Sequence, residues 1–140
     1  YKPNARVEGI LVQHMAPKGV EVIVGGIRDI QFGPTVLFGL GGIYVEVLKD
    51  VSFRFAPLSE LDSREMIREI RSYAALKGFR GQPASDELAI MRIIQGVSQL
   101  MLENPAIEQL DLNPVMVYSN GATIVDARMI LKTEPSRGSS

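Results

Sequence analysis

The sequence predicts an α+β fold, a mostly antiparallel sheet with helices packed on one face. Three observations carry this. β-rich runs fill the first 56 residues, two stretches of helical period follow from Asp62 to about residue 103, and β-rich runs return from Ile107. The 140 residues, 46% hydrophobic and 22% charged, suffice for one core but not for two full domains.

Gly9-Ile10-Leu11-Val12-Gln13-His14-Met15 and Val20-Glu21-Val22-Ile23-Val24-Gly25 are β-rich and flank Ala16-Pro17-Lys18-Gly19, so they predict a hairpin. Phe32-Gly33-Pro34 precedes a run over 35–38, Gly39-Leu40-Gly41-Gly42 interrupts it, and runs over 43–48 and 51–56 continue the strand pattern. From Asp62, Met66, Ile67, Ile70 and Ala74 share one helical face while Arg64, Glu65, Arg68 and Arg71 occupy the rest, with Gly78 and Gly81-Gln82-Pro83 as the stop. Ser85 is the expected cap of a second helix, and Asp86 and Glu87 suit the positive end of its dipole. Leu88, Met91, Ile94, Val97 and Met101 form its predicted buried stripe, and Asn104-Pro105 ends it. Strands over 107–117 and 123–131 then surround Ser119-Asn120-Gly121. A single domain is expected over 1–132 and a flexible tail over 133–140.

Charge and composition exclude several classes of function. Fifteen Lys and Arg against sixteen Asp and Glu leave a net charge of -1, with no electrostatic footprint for nucleic acid or anionic lipid. No apolar run approaches the ~20 residues that span a bilayer. Without cysteine there are no disulfides, thiolate metal sites or cysteine nucleophiles, which fits a reducing compartment and a cytoplasmic location. The opening Tyr1-Lys2-Pro3-Asn4 is neither a signal peptide nor an initiator methionine, so the chain is expected to be processed or cut from something longer.

If Asn120-Gly121 forms a two-residue hairpin turn, Ser119 opposes Ala122 and Val115 opposes Asp126. Alternation then places Asp111, Asn113, Val115 and Asp126 on one side, with Asn113 and Asp126 as diagonal neighbours. Two carboxylates and an amide supply hard oxygens suited to Mg²⁺. The alternative stays open at this point: Asn113-Pro114 as a strand irregularity, Asp111 as an edge charge, and Asp126 as a solvated partner of Arg128.

Leu11 to Met15, Gly19 to Gly25, Phe32-Gly33-Pro34, Phe38-Gly39-Leu40-Gly41-Gly42-Ile43, Leu110-Asp111-Leu112-Asn113-Pro114 and Val125-Asp126-Ala127-Arg128 cover nearly the whole chain. Together they resemble the ATP-grasp part of NDP-forming acyl-CoA synthetases. The likeness is to the beta subunit of ADP-forming acetyl-CoA synthetases or the matching region of fused forms, and more distantly to the succinyl-CoA synthetase beta subunit. The resemblance implies the second lobe of an ATP-grasp domain, with the first lobe and its phosphate-binding lysine preceding Tyr1. It implies ATP or ADP and Mg²⁺ as ligands, and CoA-binding and ligase domains or an alpha subunit as partners. The implied reaction exchanges acyl-CoA, ADP and phosphate for acid, CoA and ATP through a phosphohistidine carried elsewhere, so this chain alone is expected to be inactive.

Residue by residue, the resemblance places Gln13 at the adenine end, where succinyl-CoA synthetases have glutamate, and His14, Met15 and Ala16 at the hinge that offers backbone groups to the adenine edge. It gives Glu21 to the ribose hydroxyls and Asp111, Asn113 and Asp126 to the metal, with Asp111 where the distant relatives carry glutamate. Gly41 and Gly42 lack side chains that would keep backbone N–H groups from a phosphate, though a tight strand connection needs the same residues. His14, the one histidine, lies away from the phosphate end and is not read as the phosphohistidine. Glu46 matches an acidic position or pairs with Lys49 or Arg54, and Arg28 with Asp29 is expected to form a loop ion pair. Two other readings remain: a non-catalytic module for subunit assembly, and a regulatory nucleotide-binding domain.

Overall fold

The computed structural model describes residues 6, 8–42, 46–78 and 81–132. Strands β1 (Val20–Asp29), β2 (Gly33–Leu40) and β3 (Val51–Phe55) precede helix α1 (Glu60–Glu69), a 3₁₀ helix (Arg71–Lys77) and helix α2 (Glu87–Glu103). Strands β4 (Ile107–Val117), β5 (Ala122–Ile124) and β6 (Ala127–Leu131) complete the described fold. The sheet runs β3-β2-β1-β4, and β5 and β6 both pair with the outer edge of β4, all antiparallel. The α+β expectation therefore holds.

The helices lie on one face because the strands offer an apolar row there. Val22 and Val24 of β1, Val36, Phe38 and Leu40 of β2, and Val115 and Val117 of β4 join Met66, Ile67, Ile90, Ile94 and Met101 in one buried core. Each such side chain contributes roughly 1.5–3 kcal/mol by leaving water. Gly26 sets how closely α2 can approach, since a Cβ there would stand 2.8 Å from Met101 Cγ and 3.2 Å from Val97 Cγ1.

Several elements differ from expectation. The 9–15 run forms no strand, because both edges of β1 are already occupied by β2 and β4. Of the 43–48 run, residues 43–45 lie outside the described residues, Glu46 is helical, its amide donating to Gly42 O at 3.2 Å, and Val47 and Leu48 form a turn, so none of the three is in a strand. The first helix stops at Glu69 rather than near Gly78. The Asp50 carboxylate accepts the Arg71 and Ser72 amides at 2.8 and 2.7 Å, drawing the chain into a 3₁₀ turn after an extended Ile70. A capping box joins Ser59 and Asp62 at the start of α1. Asp86, not Ser85, caps α2 through Ala89 N at 3.0 Å, and the buried stripe takes Ile90 in place of the exposed Leu88. The expected tail over 133–140 lies outside the described residues.

Two arginines of the sheet also find partners that spacing does not suggest. Arg28 donates to the carbonyls of Ile107 at 3.0 Å, Met101 at 2.5 Å and Asn104 at 3.1 Å, neutralising the C-terminal end of α2. Asp29 instead accepts the Gln31 and Phe32 amides, so no Arg28–Asp29 pair forms. Arg54 grips Glu69 with two nitrogens, at 3.0 and 2.5 Å, rather than Glu46.

Candidate functional site

The face of the sheet away from the helices holds the acidic residues, and a break in β4 decides how. Leu110 and Leu112 are core residues, and so are Val115 and Val117, although strict alternation would put the two pairs on opposite faces. Between them the register on β1 shifts, with Val22 opposite Val115 and Val24 opposite Leu112. Asn113 and Pro114 together therefore face the single residue Ile23, a bulge at a proline that has no N–H to give the ladder. Asp111 and Asn113 keep the open face, and Val115, expected beside them, is fully buried in the core.

The β4 hairpin is also registered differently from the two-residue turn. Val117 opposes Ala122 and Val115 opposes Ile124, so the connection spans 118–121. Its backbone closes through Tyr118 N to Gly121 O at 3.0 Å, and Gly121 adopts φ +94°, for which glycine is suited. The physical cause lies in α2. Asp86 accepts the Gly121 amide at 2.8 Å, and the Asp86 amide donates to Tyr118 O at 2.8 Å, so the loop is tied to the helix start.

This two-residue slip preserves the parity of the pairing. It also continues past the gap between β5 and β6. Asn113 N donates to Asp126 O at 3.1 Å, Val125 N donates to Pro114 O at 3.0 Å, and Asp111 lies opposite Arg128. Asn113 and Asp126 are thus direct partners across the strands, closer than the expected diagonal. The single strand expected over 123–131 is broken at Val125 and Asp126, and the Asp126 Oδ1 accepts the next amide, Ala127 N, at 2.9 Å. Among the described residues, no ion pair joins Asp126 to Arg128.

A second group forms where β1 begins. Glu21 lies opposite Met116 and Gly41 N donates to Glu21 O at 2.8 Å. A Cβ on Gly41 would stand 3.1 Å from Glu21 Cβ, and one on Gly42, at φ +62°, would stand 3.9 Å from Glu21 Oε2. Glu21, Gly41 and Gly42 are therefore brought together. Along β4, Met116 is three residues from Asn113, about 10 Å at 3.3 Å per residue.

The third group sits beside Asp126. Gln13, His14, Ala16 and Pro17 form one wall of a cavity of about 400 Å³, and Thr123, Ile124 and Val125 form the other. Met15 does not line it and is exposed. Tyr118 donates its hydroxyl to Pro17 O at 3.2 Å, which ties the segment to the β4–β5 loop. Sequence reasoning missed Tyr118 and the 123–125 wall. A contact between residues 101 positions apart leaves no local pattern to find.

The donor set fits a hard divalent cation. Asp111, Asn113 and Asp126 offer oxygens, and the described residues contain no cluster of three His, Cys, Asp or Glu that would cage a metal alone. Such a cation would be completed by water and ligand oxygens, which is the habit of Mg²⁺ rather than of a closed structural site.

Residues 1–131 match the family described as an ATP-grasp domain. The chain belongs to the ATP-grasp family. The beta subunit of ADP-forming acetate–CoA ligase I from Pyrococcus furiosus is 54% identical to it over 131 residues, 94% of this chain and 56% of that subunit. ADP-forming acetate–CoA ligase I from Archaeoglobus fulgidus is 51% identical over 132 residues, 94% of this chain and 19% of that protein. The ATP-grasp chain thus spans about half of the one relative and a fifth of the other. Its fold superposes with a TM-score of 0.87 and 54% identity on dinucleotide forming acetyl-coenzyme A synthetase 1 from Ca. Korarchaeum cryptofilum in complex with coenzyme A, Ca-AMPCP and HgCl+, covering 93% of this chain and 57% of that one. A second structure of that synthetase, with coenzyme A and Mg-AMPPCP, has its phosphohistidine segment pointing towards the nucleotide binding site; there the TM-score is 0.81 at 52% identity, over 84% of this chain and 55% of that one.

Proposed function

We propose that this chain is the nucleotide- and magnesium-binding lobe of an ADP-forming acyl-CoA synthetase. It is the second lobe of an ATP-grasp domain, with the domain boundary near residue 132. The complete enzyme interconverts acyl-CoA, ADP and phosphate with acid, CoA and ATP through a phosphohistidine, and this lobe alone is inactive. The other ATP-grasp lobe and the CoA-binding and ligase parts, as further domains or an alpha subunit, are its partners. One observation carries the nucleotide reading: Asn113 and Asp126 are direct cross-strand partners beside Asp111 on the open face, in a chain of the ATP-grasp family. The relatives with bound Mg-AMPPCP and Ca-AMPCP support it.

On this reading each group has a separate task. Glu21 accepts hydrogen bonds from ribose hydroxyls, with Gly41 and Gly42 keeping the space beside it clear. Gln13 and His14 present polar groups to the adenine edge from the cavity beside Val125, with Met15 flanking them. Asp111, Asn113 and Asp126 hold Mg²⁺, which when bound supplies charge neutralisation to the phosphates during phosphoryl transfer. The protein's work is positioning, since a loose phosphoryl-transfer transition state asks for little covalent help.

An amide-resolved NMR titration of the 140-residue chain with ADP, with and without Mg²⁺, tests this reading together with calorimetry on the complete synthetase. Shifts at 13–21, and Mg²⁺-dependent shifts at 111, 113 and 126, are expected. Absence of ADP binding by the complete synthetase overturns the nucleotide reading and favours the assembly module, whose partner binding is indifferent to nucleotide.

A further inference from the structure

From the fate of the three strand arginines we infer that Arg128 is a phosphate-binding residue of the open face, directed at the terminal phosphates of a nucleoside diphosphate or triphosphate. This rests on the nucleotide reading above.

Arg28 and Arg54 lie on the helix side of the sheet, and both are consumed there. Arg28 serves three carbonyls at the end of α2, and Arg54 is paired with Glu69. Arg128 differs on both counts. It lies opposite Asp111, whose neighbours Leu110 and Leu112 are buried in the core, so alternation puts Asp111 and Arg128 together on the open face. It is exposed, and among the described residues it makes no hydrogen bond and no ion pair within 4.0 Å, not even with Asp111. A guanidinium kept only for stability would be expected to be engaged as the other two are.

The charge on this face gives the group its task. Glu21, Asp111 and Asp126 carry three formal negative charges, which by themselves repel a polyphosphate. Arg128 is the sole arginine or lysine that the described strands β1 to β6 place on this side. It sits two residues after Asp126, so its long side chain leaves the sheet beside the three oxygen donors. A guanidinium presents paired N–H donors that match phosphate oxygens, and it keeps its charge at any physiological pH. It therefore attracts phosphate even before a cation is bound, a contribution separable from that of Asp126.

Calorimetry on the complete synthetase, with ADP and AMP as probes, tests this. Hydrogen bonds to charged groups are worth about 1.5–3 kcal/mol, so Arg128→Gln is expected to weaken ADP roughly 10- to 100-fold. AMP, which lacks the outer phosphate, should change less than about threefold on the same reasoning. Arg128→Lys should fall between parent and Arg128→Gln, keeping the charge but losing the fork. The Arg128→Gln loss should persist without Mg²⁺, whereas an Asp126→Asn loss should depend on Mg²⁺. Unchanged ADP affinity in Arg128→Gln, with the parent binding ADP normally, overturns the role of Arg128 and leaves the nucleotide reading intact. Equal losses for ADP and AMP assign Arg128 a structural role and also overturn it. Failure of the parent to bind ADP removes both readings together.

Discussion

Asp126 is exposed, stands at a break between two short strands, and has Asn113 as its cross-strand partner. Among the described residues its carboxylate holds only the neighbouring Ala127 amide, so little of the described fold depends on it. Asp126→Asn is therefore expected to leave the melting temperature within about 2 °C, the range of a surface substitution in a domain this size. On the proposed reading, kcat of the complete synthetase falls about 100-fold or more, since one lost charge-stabilising contact costs about 2.7 kcal/mol. Paired activity assays and melting curves check this, and a collapsed melting temperature with preserved specific activity would sink the role. Glu21→Gln belongs at the same scale. It should raise the KM for nucleotide more than it lowers kcat, because ribose contacts are made equally in ground and transition states. The open-face placement of Asp111 and Asn113 was legible in the sequence because strand alternation is local. Met15 was not: its neighbours turn toward Thr123, Ile124 and Val125, and nothing in the run 9–15 tells which side chains do so.

At the scale of elements, the legible parts were those set by local period and composition: β2, β3, α2, β4 and the stop at Asn104-Pro105. The misread parts were decided by contacts distant in sequence. Strand propensity in 9–15 met a β1 with both edges taken, and the two-residue turn at Asn120-Gly121 gave way to the pull of Asp86 on Gly121. Asp86 is thus both the cap of α2 and the anchor of the β4–β5 loop, and the Ala89 and Gly121 amides hold its carboxyl below the usual range. Asp86→Ala should cost about 1–2 kcal/mol, the upper half of the range for a lost N-cap. A carboxyl with a depressed folded pKa stabilises fully above its unfolded value near 4, and that contribution disappears as pH falls through the folded value. Urea unfolding of parent and variant should therefore differ at neutral pH and converge below about pH 4. Gly26→Val tests the α2 contact separately. The added methyls press on Met101 and Val97, at an expected cost of about 1–3 kcal/mol by overpacking. Nucleotide binding should be spared, because Gly26 faces the helices and not the open face.

On the scale of the whole molecule, helices cover one side of the sheet and the other side is left to solvent. Phe53 and Phe55 of β3 are more than half exposed, as is Ile27 of β1, and Phe32 stacks on Phe55 with centroids 5.2 Å apart. The same asymmetry appears along residues 8–19, where Ile10, Leu11 and Val12 are 81–89% exposed. Among the described residues, their backbone amides find no hydrogen-bond acceptor. An apolar run without pairing exposes both its side chains and its backbone hydrogen-bonding groups, and such a run can pair with another strand. Hydrogen exchange on the 140-residue chain should therefore show the 8–15 amides exchanging within seconds, while the central amides of β1 and β4, bonded on both sides, exchange orders of magnitude more slowly. In the complete synthetase, where the proposed first lobe supplies a sheet, the 9–12 amides should become protected. Protection of 9–12 in the chain alone would show that the segment pairs internally, and the open face would then have a cover of its own. Lack of protection in the complete synthetase would instead mean that the apolar run serves some contact other than the lobe boundary.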